Sequence, residues 1–75
     1  MVDKNLIIDL IKKGISDAQV EVVSNDGVHF FATIYSSEFL GKSLLEQHRL
    51  VFDAIGDKMK QDIHALSIKT VPVHA

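Results

Sequence analysis

Apolar positions near the start of the chain recur every three or four residues and then give way to alternation. Leu6, Ile7, Leu10 and Ile11 share one face at helical spacing. Asp3 can cap a helix whose first turn begins at Lys4, and Val2 and Ile7 then occupy the two positions of a hydrophobic staple. Lys12 and Lys13 fall in the last turn, where cations suit the helix dipole, and Gly14 is the natural stop. Val20-Glu21-Val22-Val23 carries the β-branched residues of a strand, Asn25-Asp26-Gly27 is a turn signal, and His29 to Tyr35 returns as the second strand of a hairpin. Alternation puts Phe30, Ala32 and Ile34 on the core face of that strand and Phe31, Thr33 and Tyr35 on the other.

The second half reads as a helical segment followed by one more strand. Ser36 to Lys42 is a connecting loop anchored by one aromatic, Phe39, and Ser43 with Glu46 three residues later forms a capping box. Leu44, Leu45, His48, Val51, Phe52 and Ile55 make the expected apolar stripe, with Gln47, Arg49 and Asp53 turned away. On this reading His48 is a core histidine, hydrogen-bonded where the helix meets the sheet. Gly56-Asp57 ends the helix and can cap a short successor from Lys58 towards Asp62, which carries Met59 and Ile63 inward. Ala65 to Thr70 is the third strand, stopped by Pro72. The predicted order is α-β-β-α-α-β, an α/β (α+β) single domain over residues 1–75. A helical connection between the second and third strands favours parallel pairing with a right-handed crossover.

Composition narrows the function classes. A 75-residue chain is one domain and buries only about 60% of its unfolded surface, which leaves little room for an internal substrate pocket. Cysteine is absent, so there is no thiolate nucleophile, and a metal bound by this chain alone must be held by His, Asp or Glu. With no nucleophile and base that can be placed together, an enzyme is not expected. Eight basic against ten acidic side chains give a net charge of -2, which opposes a global attraction to phosphate. Lys42, Arg49, Lys58 and Lys60 are the candidates for a local basic patch. A charge pair and an Asn stand near the first residue, where a signal peptide would have its apolar run, and no stretch approaches the roughly 20 apolar residues that span a bilayer. The expectation is a soluble, cytoplasmic protein. His74, close to the last residue, is expected to be unstructured.

Four separated stretches carry a family resemblance. They are His29-Phe30, Ser36-Ser37-Glu38-Phe39-Leu40-Gly41-Lys42-Ser43, Gln47-His48-Arg49-Leu50-Val51 and Ile63-His64-Ala65-Leu66-Ser67-Ile68-Lys69. In residues and in spacing they resemble the BolA family, from Val20 to Thr70. The resemblance implies a three-stranded mixed sheet backed by helices, similar to a type II K-homology fold. It also implies a partner, a monothiol glutaredoxin, with which a 2Fe-2S cluster is shared. The glutaredoxin cysteine and a glutathione thiol would lie on one side of the cluster and ligands from this chain on the other, so the isolated chain is expected to carry no cofactor. The family ligand in the Ile-His-Ala-Leu block is His64 here. The second family ligand comes from the loop between the first two strands, where this chain has His29 as the one imidazole and Asp26 as the aligned alternative. The implied role is a non-enzymatic adaptor in iron-sulfur cluster trafficking and iron or redox regulation. The alternative is a BolA-type transcription regulator that binds nucleic acid through Lys42, Arg49 and Lys58. The acidic balance and the lack of a Gly-x-x-Gly loop stand against that alternative. Whether the apo chain forms a homodimer is left open by the sequence.

Overall fold

The computed structural model describes residues 3–59 and 63–74. The first helix, α1 (Lys4–Gly14), starts where the Asp3 carboxylate accepts a hydrogen bond from the Leu6 amide at 3.0 Å. Ile7 and Ile11, one turn apart, are fully buried and fasten the helix to the sheet side of the molecule. The staple proposed for Val2 lies outside the described residues.

Gly14 differs from its expected role. It is the last helical residue rather than a left-handed stop, and the extended Ile15 that follows supplies the cap, its amide donating to the Ile11 carbonyl at 2.8 Å. A Cβ at position 14 would fall 2.4 Å from the Ala54 Cβ and 2.9 Å from the Ala54 Cα. The missing side chain is what lets the second helix approach this closely.

Three strands form one mixed sheet in the order β1-β2-β3, namely β1 (Gln19–Val23), β2 (Phe30–Ser36) and β3 (Leu66–Pro72). β1 runs antiparallel to β2, from Gln19 opposite Tyr35 to Val23 opposite Phe31. β3 runs parallel to β2, from Phe30 opposite Leu66 to Ser36 opposite Pro72, as the helical connection predicts. The central strand buries Phe30, Ala32, Ile34 and Ser36 and leaves Phe31 exposed, which matches the expected alternation. Phe39, in the short turn Ser37–Phe39, is completely buried and closes the core at one end.

The second helix, α2 (Leu44–Ile55), begins with the predicted capping box. The Glu46 amide donates to the Ser43 hydroxyl at 3.2 Å and the Ser43 amide donates to the Glu46 carboxylate at 2.9 Å. Its buried stripe is Gln47, Val51 and Ile55, which corrects the expected one. Leu45 falls on the far side of the helix from Gln47, and Leu44 sits uncovered in the first turn, so both leucines are more than 60% exposed. Gln47 can occupy the interior because it is satisfied at both ends of its amide. Its Nε2 donates to the Lys42 carbonyl at 2.9 Å and its Oε1 accepts from the Thr70 hydroxyl at 2.6 Å. His48 is only half-buried, and its ring makes no hydrogen bond to another described residue. The polar link between helix and sheet therefore belongs to Gln47. Beyond α2 the chain makes 3-10 turns at Gly56–Met59 and Ile63–Ala65. The expected helical course through 60–62 and the inward side chains of Met59 and Ile63 lie outside what is described.

Candidate functional site

Because β2 and β3 are parallel neighbours, the residues just before each strand emerge at the same end of the sheet. His29 precedes Phe30, the first residue of β2, and His64 stands in the turn that leads into Leu66. Both imidazoles line one shallow depression of about 240 Å³, together with Ser24, Asn25, Phe31 and Ser67. His64 is exposed there, and its ring makes no hydrogen bond to another described residue. The two histidines chosen from the sequence thus share one surface, although they come from opposite halves of the chain.

The loop that carries His29 is organised by Asp26. One carboxylate oxygen, Oδ1, accepts from the amides of Val28 and His29, both at 2.8 Å, and from the Ser24 hydroxyl at 3.3 Å. The other, Oδ2, lies 2.9 Å from Nδ1 of the His29 ring. The Ser24 hydroxyl also accepts from the Gly27 amide at 2.9 Å, and Gly27 has φ +73°, which an L side chain rarely adopts. The hydrogen bond from the His29 ring, followed by those from the two backbone amides, holds the Asp26 carboxyl well below the usual carboxylate range. The pair is open to solvent, with 71% of the His29 side chain and 52% of the Asp26 side chain exposed. An Asp three residues before a His, across a turn glycine, was the sequence signal for this contact.

The other candidates are placed elsewhere. Lys42 and Arg49 both act on the Glu46 carboxyl, whose pKa is lowered chiefly by hydrogen bonds from Ser43 and further by these two cations. Lys58 lies beyond the C-terminal end of α2, in the turn Gly56–Met59. His74 lies outside helix and strand and is exposed, just after Val73, whose amide donates to the Ser36 carbonyl at 3.2 Å. It lines a separate depression with Asp17, Gln19 and Tyr35, away from His29 and His64. Among the described residues no group of three or more His, Cys, Asp or Glu comes together as a metal site, and no helix is long and apolar enough to cross a membrane.

Comparison with known proteins places this arrangement in a family. The profile of the BolA-like protein family matches residues 7–74. The chain is 49% identical to SufE-like protein 1, chloroplastic/mitochondrial, of Arabidopsis thaliana over 59% of its own length, a stretch that makes up 12% of the plant protein. It is 44% identical to Protein BOLA2 of the same plant over 67% of its own length, which is 53% of that protein. The structure of a bolA protein homologue from Coxiella burnetii superposes with a TM-score of 0.80 at 42% identity, covering 96% of this chain and 92% of that one. Two helices on a three-stranded mixed sheet, the four motif stretches and a match across nearly the whole length lead to one statement: the chain belongs to the BolA-like protein family.

Proposed function

We propose that this chain is an adaptor that pairs with a monothiol glutaredoxin and shares a 2Fe-2S cluster with it, using His64 and His29 as its ligands. The observation that carries the reading is the pair of exposed imidazoles on one depression at the end of the sheet. Two neutral nitrogen donors are too few to hold a metal alone, but they are the complement expected on one iron of a cluster whose other iron is bound by thiols. The cluster would supply redox chemistry and visible colour, and imidazole in place of thiolate raises its reduction potential. Imidazoles are also released by mild acid, because protonation removes the donor lone pair. That suits a cluster meant to be passed on. The family membership supports a role in iron-sulfur trafficking and iron or redox regulation. Lys42 and Arg49 flank the acidic Glu46 and Lys58 lies past the far end of α2, an arrangement that does not favour the nucleic-acid alternative.

The test is co-expression with a monothiol glutaredoxin. The wild-type pair is expected to purify as a coloured heterodimer. His64→Ala and His29→Ala should each lose visible absorption while the circular dichroism of the isolated chain stays unchanged. Full colour in both variants would overturn the ligand assignment.

A further inference from the structure

Both oxygens of the Asp26 carboxylate already accept hydrogen bonds. Oδ1 is committed to the amides of Val28 and His29 and to the Ser24 hydroxyl, and Oδ2 to the His29 ring. A carboxylate only accepts, so the ring nitrogen that faces it, Nδ1, must carry a hydrogen. In the neutral imidazole this leaves Nε2 as a bare lone pair. In water a neutral histidine ring prefers the opposite arrangement, with its proton on Nε2.

We propose that Asp26 is a positioning residue and not a ligand: it holds His29 in the Nδ1-H tautomer and presents Nε2 as the donor to an incoming iron. This rests on His29 being a ligand, as argued above. For Asp26 to ligate a metal through Oδ1 it would have to compete with two 2.8 Å backbone bonds that close the turn. As a partner of His29 it gives up nothing. Metal-bound histidines generally donate their second ring N-H to a carboxylate or carbonyl, which orients the ring and makes the ligating nitrogen more basic. Here that carboxylate is already in place, held by bonds that span no more than three residues, so the ring is set before any partner arrives.

Two variants separate the roles of the carboxylate. In Asp26→Asn the amide oxygen keeps the backbone bonds of the turn while its NH₂ group faces Nδ1 as a donor, so the ring must move its proton to Nε2. Asp26→Ala removes both functions. Two-bond proton-nitrogen NMR on the isolated apo chain at about pH 8, where imidazoles are neutral, reads the tautomer directly. The expected result is Nδ1-H for His29 in the wild type and predominantly Nε2-H in Asp26→Asn, with the backbone shifts of the hairpin unchanged in that variant. With the co-expressed glutaredoxin pair, Asp26→Asn should lose its cluster to a chelator about 10- to 100-fold faster than wild type. An Nε2-H tautomer in the wild type, no switch in Asp26→Asn, or an unchanged rate of cluster loss would overturn the proposal. So would full colour in His29→Ala combined with loss of colour in Asp26→Ala, which would make the carboxylate the ligand. If the glutaredoxin pair carries no cluster at all, the shared-cluster reading fails, while the tautomer measured on the apo chain still stands or falls separately.

Discussion

At one end of the sheet Asp26 accepts hydrogen bonds only from residues two or three positions away, whereas at the other end Asp17 accepts from Ser36 and Ser37, 19 and 20 positions along the chain. The acceptor chemistry is the same. Asp17 takes the hydroxyls of both serines and the Ser37 amide at 2.9 Å, and these bonds, the Ser36 hydroxyl first, lower its pKa to about 2. Ser36 is itself fully buried, so this carboxylate ties the approach to β1 to the exit of β2. The Asp26 end holds nothing together beyond its own turn. One end of the molecule spends its polar groups on tertiary structure and the other on the direction of a single ring.

The sharpest way to break the contrast is at Phe39, which is buried just after the serines that Asp17 holds. Phe39→Ala should cost about 3–5 kcal/mol. That is a large share of the roughly 4–11 kcal/mol expected for a domain of this size, so urea titration should find the unfolding midpoint far below that of wild type.

Asp17→Ala should act less strongly and depend on pH. The folded pKa is near 2, below the ordinary 3.8, so the contribution is fully present above about pH 5 and is lost as pH falls towards 2. Thermal melts should place Asp17→Ala below wild type at pH 7, with the gap closing by pH 2. A gap that persisted at pH 2 would mean that the carboxylate charge is not the cause.

Asp26→Ala should act on its own turn alone. Amide exchange should quicken at Val28 and His29 and stay unchanged at Ser37, whereas Asp17→Ala should quicken exchange at Ser37 and leave Val28 and His29 as they are. Exchange quickened at both ends by either variant would erase the distinction between them.

The order of elements was legible because local signals agree with the final packing. The Ser43-Glu46 box, the alternation from Phe30 to Ile34 and the parallel pairing across a helical connection were all readable from the residues. The misreadings share a different cause. Gln47 looks like a surface residue until the Thr70 hydroxyl is brought to it, and Gly14 looks like a stop until Ala54 is laid against it. Asp17 gives no local signal of its role, since its serine partners lie in another part of the sequence. Each depends on a neighbour supplied by tertiary structure, which no local pattern encodes. In the candidate site, His29 and His64 could be named through the family resemblance, and their shared surface follows from the parallel ladder. For Asp26 the resemblance offered a ligand position, and its hydrogen bond to the neighbouring ring is what the structure adds.

The ladder that unites the two histidines also sets a sequence of events during folding. The hairpin carrying His29 closes through a short turn, on the order of 1–10 μs for such motifs. The pairing of Phe30 with Leu66 must bridge the whole of α2 and pay a larger loop-closure entropy before it is rewarded. The two imidazoles are therefore brought onto one surface only once the parallel ladder has closed.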